Sequence, residues 1–375
     1  MSAPKSFTFT RPGRPPLAAV SYAPRSDPRA LLIWHHGLGE HAGRYTKSEW
    51  HLLLPHWEPH RAAHPHPPSQ PLLSLSSPLL PHPVFSDFAA AGIAVATYDA
   101  AGHGATQAAA ATAGTAAPSE FGLVTDWRLL VSDFMFFAAA AVSGGGGAVG
   151  CGGAPPPAPP GTPLFLGGHS MGGLVATLAA ASWLGGGAPG PPPLPPPPPP
   201  PRPALAGLVL SSAAVDVEWT PILRIQAPLG GLLASLAPRA RLIPAVRPED
   251  MSADAATVAA YVGDPLNFVG KTRARTGNEL LKAFRVASGP ATASALTCPL
   301  IAIHGDADRC TSLPAVRRLV GAAASLDKGL VVFPGGFHEL LHPWEGQDIA
   351  LATLRDWMVA HAGGGGSGSG SQAKM

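Results

Sequence analysis

The stretch "LFLGGHSMGGLVATLAA", Leu164 to Ala180, crowds four glycines around one hydroxyl and one imidazole. Glycine weakens strands and helices alike, so its density here asks for a reason. Gly168-His169-Ser170-Met171-Gly172 fits G-x-S-x-G, directly after an apolar run and before a helical pattern. In a strand–turn–helix elbow the serine takes a strained backbone, and neighbouring Cβ atoms would clash with the crossing chain. Such a turn lifts the serine Oγ above the C-terminal edge of a sheet and aims a helix N-terminus at developing negative charge.

Outward from the elbow, apolar β-rich runs alternate with helical patterns. Leu31–Trp34, Ile93–Tyr98, Leu164–Leu166, Leu205–Leu210, Leu300–Ile303 and Leu330–Phe333 read as strands. Most are continuously apolar, as parallel strands covered on both faces are. The clearest helix lies near Val124–Val142, with Trp127, Leu130, Val131, Phe134 and Phe137 on one stripe and Asp126 and Asp133 off it. This alternation predicts an α/β fold with a mostly parallel central sheet flanked by helices.

Three biased segments interrupt the pattern: a His/Pro/Leu/Ser-rich insert near 51–83, a Gly/Pro-rich one near 143–160, and a proline run near 185–203. Inserts between elements cost little closure entropy. The six histidines of the first lack the spacing of a metal site, and no metal is expected. The proline run reads as polyproline II, a spacer or a ligand for an SH3-, WW- or profilin-type domain. The tail 363–375 reads as flexible linker.

A chain of 375 residues with a formal net charge of +2 carries no basic stripe for nucleic acid. Cys151, Cys298 and Cys310 are scattered and odd in number, which fits a reducing compartment better than a disulfide framework. The first residues read as strand and not as a signal core, so they are expected to be folded. Met171 to Ala188 carries no charge and imitates a membrane span. Its glycines and alanines predict instead a helix buried in protein.

A serine hydroxyl needs a base. In the chain order Ser, Asp, His, the partners belong at the ends of later strands. "HGDADRCTS" follows Leu300–Ile303 and "PGGFHELLHPW" follows Leu330–Phe333. His338 is the candidate base, with His342 on the rim. Asp306 and Asp308 compete for the acid; Asp306 is nearer the strand end, where turn capping is common, and Asp308 is better placed to reach the imidazole. The oxyanion needs two N–H donors: Met171, after the nucleophile, and Leu38, between Gly37 and Gly39 in "IWHHGLGEHAGRY".

"HHGLGEHAGRY", "YDAAGHGAT", "GGHSMGG", "DPLNFVGKTRARTGNELLKA", "HGDADRCTS" and "GGFHELLH" together resemble the monoacylglycerol lipase and lysophospholipase group of α/β-hydrolases, of the serine aminopeptidase S33 type. The resemblance implies an α/β-hydrolase fold with Ser170, Asp308 and His338 as triad and Leu38 and Met171 as oxyanion donors. It places Glu40 and Arg44 at the polar end of the site and makes Asp99 and His103 structural. Where the family usually has arginine, this chain has Ala101. The resemblance also implies a helical cap, 213–289, between core parts 1–212 and 290–362. Such a cap covers an acyl channel and touches membranes; a plain amphipathic helix packed on the core is the blander expectation.

A serine esterase for monoacylglycerols or lysophospholipids, free of metal and organic cofactor, is therefore expected. Its place would be cytoplasmic, in peripheral contact with membranes or lipid droplets. The rivals are an esterase of phenolic esters, of the caffeoylshikimate type, and a catalytically silent interaction protein using its proline tract.

Overall fold

The chain opens with an antiparallel pair, β1 (Lys5–Phe9) and β2 (Leu17–Tyr22), before β3 (Ala30–His35) enters the core with all six residues buried. The computed structural model describes residues 4–46, 84–117, 120–143, 158–185, 204–217, 221–243 and 246–363. After β3 come a 3₁₀ turn at Ala42–Tyr45, α1 (Val84–Ala90), β4 (Ile93–Tyr98), α2 (Gly104–Thr112) and α3 (Trp127–Val142). Then follow β5 (Leu164–His169), α4 (Met171–Trp183) and β6 (Leu205–Ser211). A long excursion holds α5 (Pro221–Leu236), β7 (Arg241–Ile243), α6 (Ala255–Gly263), β8 (Thr272–Arg273), α7 (Ala274–Ala287) and α8 (Pro290–Ala295). The chain returns through β9 (Leu300–Gly305), α9 (Leu313–Ala322), β10 (Lys328–Phe333) and α10 (Gln347–Ala362).

Eight strands form one sheet in the order β1-β2-β4-β3-β5-β6-β9-β10. Every pair from β4 to β10 is parallel, and β2 alone runs the other way, antiparallel to both β1 and β4. All six predicted strands are present. The continuous apolar runs arise because one core cluster covers each face of the sheet: Phe134, Phe137 and Leu174 belong to one, Trp34, Phe88 and Leu354 to the other. With β5 near the middle, the residue after His169 sits over the centre of the C-terminal edge.

The α3 stripe is buried as expected, and Asp133 off the stripe is buried too. Arg11 Nε at 2.6 Å and Arg14 Nη2 at 2.7 Å hold its carboxylate. The stretch that imitates a membrane span begins with α4, thirteen residues packed on the sheet and against α3. Among the described residues no helix is long and apolar enough to cross a membrane. Of the histidine-rich and Gly/Pro-rich inserts, the proline run and the tail, residues 51–83, 144–157, 186–203 and 364–375 lie outside the described residues.

Candidate active site

Ser170 stands between β5 and α4 with φ 54° and ψ −121°, a positive φ shared among described non-glycine residues only by Ser212. The glycines around it are demanded by close approach. A Cβ on Gly172 would lie 1.9 Å from the His35 carbonyl oxygen, and one on Gly168 would lie 2.4 Å from the Gly172 carbonyl. Within this turn Ser170 N–H donates to Ser211 O at 3.0 Å, and Gly173 N–H returns to Ser170 O at 3.0 Å. Met171 opens α4, so its N–H lies in the first turn, where no preceding helical carbonyl exists to accept it.

The Gly37–Gly39 loop, the candidate oxyanion loop, crosses close to Ser170: a Cβ on Gly37 would be 3.2 Å from Ser170 Cβ. Its peptide plane is fixed from behind. His36 Nδ1 meets Gly37 O at 2.7 Å, while His36 Nε2 accepts the Ala100 N–H at 3.0 Å. Because the peptide is trans and planar, the Leu38 N–H points to the side opposite His36. Asp99 and His103 act as expected of structural residues. Asp99 accepts the N–H groups of Ala42 and Ala105, each at 2.7 Å, and His103 packs on the His36 ring.

Of the two competing aspartates, Asp308 is the one against the imidazole. Its Oδ2 lies 2.9 Å from His338 Nδ1 and accepts the Thr311 hydroxyl at 2.7 Å; its Oδ1 accepts the Cys310 and Thr311 N–H groups at 2.7 and 3.0 Å. Burial disfavours the charge on Asp308, but the His338 pairing and these hydrogen bonds win and hold it well below the usual carboxylate range. Burial likewise disfavours imidazolium at His338, yet the Asp308 charge and hydrogen bond raise its pKa. Asp306 is exposed and caps a turn, accepting the Gly335 N–H at 2.7 Å.

Glu40 and Arg44 are buried beneath the loop. Glu40 Oε1 accepts the Gly37 N–H at 2.5 Å and the Tyr45 hydroxyl at 2.7 Å, while Oε2 pairs with Arg44. The Arg44 guanidinium lies 4.8 Å from the Tyr261 ring centroid and also binds Glu339, at 2.9 Å. His342, expected on the rim, is turned inward: Nδ1 lies 2.5 Å from Glu339 Oε2.

Several neighbours were not legible in the sequence. Ser212 donates to the His338 carbonyl at 2.8 Å, and Thr311 donates to the Ser212 carbonyl at 3.1 Å, so one residue braces the loops of both Asp308 and His338. Glu339 had a faint signal, being a carboxylate next to the base in an otherwise apolar run. Among the described residues, two groups offer metal-like donor sets: Asp308, Cys310 and His338, and Glu40, His169 and Glu339. In both, the carboxylates are already engaged, by imidazole in one and by guanidinium in the other.

Residues 79–343 match the family described as serine aminopeptidase, S33. A monoacylglycerol lipase of Mycolicibacterium smegmatis is 28% identical over 347 residues, 91% of either chain. Two solved structures share the fold. The monoacylglycerol lipase of Paleococcus ferrophilus has a TM-score of 0.62 at 20% identity, covering 92% of this chain and 99% of its own. A soluble variant of monoglyceride lipase from Saccharomyces cerevisiae, in complex with a substrate analogue, has a TM-score of 0.65 at 15% identity, covering 96% of each. With its parallel sheet, its elbow serine and its match over most of the chain, this protein belongs to the serine aminopeptidase S33 family of α/β-hydrolase-fold serine hydrolases.

Proposed function

We propose that this serine hydrolase cleaves carboxylic esters of lipids, above all long-chain monoacylglycerols, to fatty acid and glycerol. The observation that carries the chemistry is the buried His338–Asp308 contact at 2.9 Å beside the strained Ser170 elbow. Ser170 Oγ attacks the ester carbonyl as His338 takes its proton. Asp308 fixes the imidazole tautomer through Nδ1 and stabilises the imidazolium. The N–H groups of Leu38 and Met171 receive the oxyanion, a contribution of about 3 kcal/mol per donor in comparable sites. His338 then protonates the departing glycerol, and water repeats the cycle on the acyl-enzyme.

The lipid class is supported by the relatives named above and by one surface. In the excursion, Leu229, Leu232 and Leu236 of α5 are 61%, 61% and 76% exposed, at i, i+3 and i+7 of one helical face. Arg239, paired with Glu120 at 2.7 Å, and Arg241, over the Phe268 ring, follow directly and are exposed as well. An apolar stripe with cations at its end suits an anionic lipid surface. On this reading 213–289 is a cap that delivers substrate from a membrane to a core built of 1–212 and 290–362. Glu40 and Arg44 serve as the floor of the polar end and not as direct ligands of glycerol.

Two measurements test the reading. A fluorophosphonate probe is expected to label the parent and not Ser170→Ala. Across an acyl series, kcat/KM is expected to rise from acetyl to long-chain monoacylglycerols. Labelling with a preference for short or phenolic esters would retain the chemistry and reject the lipid.

A further inference from the structure

We propose that Glu339 is a positioning residue that couples the base to the oxyanion loop through Arg44; the inference rests on the esterase reading above. Glu339 directly follows His338 and is 2% exposed. Its Oε1 binds Arg44 Nη1 at 2.9 Å, and its backbone N–H is anchored on the Met251 carbonyl of the excursion at 2.9 Å. The same Arg44 nitrogen holds Glu40 Oε2, and Glu40 Oε1 holds the Gly37 N–H. One unbroken chain of polar contacts thus runs from the residue after the base to the loop that carries Leu38.

The charge balance shows why packing alone is a poor account. Two carboxylates, Glu40 and Glu339, share one guanidinium with all three groups buried. Burying ions costs free energy that their attraction returns only with good geometry, and apolar residues would fill the space as well. Among Glu40, Glu339 and Arg44 themselves the second carboxylate leaves one negative charge in excess, beside the imidazole that must become cationic during turnover, with His342 Nδ1 2.5 Å from Glu339 Oε2 on the other side. Arg44 keeps Glu339 ionised: burial opposes the charge, but Arg44 and then His342 hold its pKa well below the usual range.

Other groups face this pair and set the background. From β9 and its following loop come Asp308, His304 and Cys310; from β5 comes His169, with Nε2 at 3.8 Å from Glu339 Oε1. The oxyanion loop adds Glu40, Arg44 and Tyr45, the excursion adds Asp250 and Tyr261, and His342 sits on the same loop. Among them Asp308 acts most strongly on His338, with Glu339 next.

Glu339→Gln keeps size and an acceptor for Arg44 but removes the charge. At constant folding, checked by circular dichroism at each pH, it is expected to lower kcat about tenfold with KM within about twofold, and to move the acid limb of kcat/KM down by about half a pH unit. NMR titration of His338 in the Ser170→Ala background is expected to move by the same amount. Glu339→Asp keeps the carboxylate and is expected to titrate as the parent does, and Arg44→Gln, which removes the cation that keeps Glu339 ionised, is expected to lower kcat as Glu339→Gln does, which keeps the proposal testable if Glu339→Gln does not fold. An unmoved titration in folded Glu339→Gln, or parent-like kcat in folded Arg44→Gln, overturns the proposal. Failure of the parent to hydrolyse any ester would overturn the esterase reading instead, and leaves the titration to be read on its own.

Discussion

Ser170 occupies a backbone region that L side chains rarely adopt, and the elbow holds it there because Gly168 and Gly172 let the chain pass. Ser170→Ala is expected to keep the fold and lower kcat by about 10⁴-fold or more, measured on p-nitrophenyl esters. The two aspartates separate just as cleanly. Asp308→Asn turns the imidazole to the wrong tautomer and is expected to cost orders of magnitude in kcat, whereas Asp306→Ala loses the turn cap on Gly335 and shifts mainly the melting temperature. Cys310, two residues after the acid, donates its thiol to the Asp250 carbonyl at 3.4 Å, and burial pushes its pKa far up. Inactivation by N-ethylmaleimide is therefore expected to be slow at pH 7 and absent in Cys310→Ser. At this scale the Ser170 elbow and the Asp308–His338 pair were legible because motif and strand ends point to them. Ser212, Thr311 and Glu339 were not, because their work lies in contacts to residues such as His338, 126 positions away from Ser212, which no local pattern records.

Elements read from apolar runs were legible wherever the sheet is covered twice, and their ends less so. The run after Leu164 reads as ending at Leu166, since two glycines follow; β5 continues to His169 because those glycines admit neighbours. A Cβ on Gly167 would stand 2.9 Å from the Val209 carbonyl oxygen. Gly305 closes β9 under a similar constraint, as its Cβ would lie 2.0 Å from the Gly336 carbonyl oxygen, where the loops of acid and base cross. Gly305→Ala is expected to cost about 2–4 kcal/mol, read from urea midpoints at unchanged m. The exposed face of α5 yields a different outcome: Leu232→Asp with Leu236→Asp is expected to spare p-nitrophenyl acetate turnover and to reduce turnover on anionic vesicles at least several-fold.

Over the whole molecule, buried histidines set the response to acid. Burial holds His35, His103, His169 and His304 neutral, with pKa values pushed down to about 4, and it lowers His36 well below the ordinary imidazole range as well. An unfolded chain binds those protons near pH 6.5, so stability is full above that value and falls as pH drops toward 4. Each group adds a slope of about 1.4 kcal/mol per pH unit within that window. His338, raised by Asp308, opposes them with one group of the other sign. Urea melts between pH 7 and pH 5 are expected to show this loss; a flat profile would mean the imidazoles are hydrated.

The order of the chain through the sheet has a practical consequence. α4 runs back from the C-terminal edge and β6 starts again at the opposite edge, so the joint through 186–203 begins and ends on the side away from Ser170. Residues before that joint carry Ser170, Leu38 and Met171, the proposed nucleophile and oxyanion donors, and residues after it carry Asp308 and His338. Severed there and fused to two interacting partners, neither fragment could hydrolyse an ester alone. Turnover would return only when β5 and β6 pair again, which makes the molecule a candidate split reporter whose signal is amplified by catalysis.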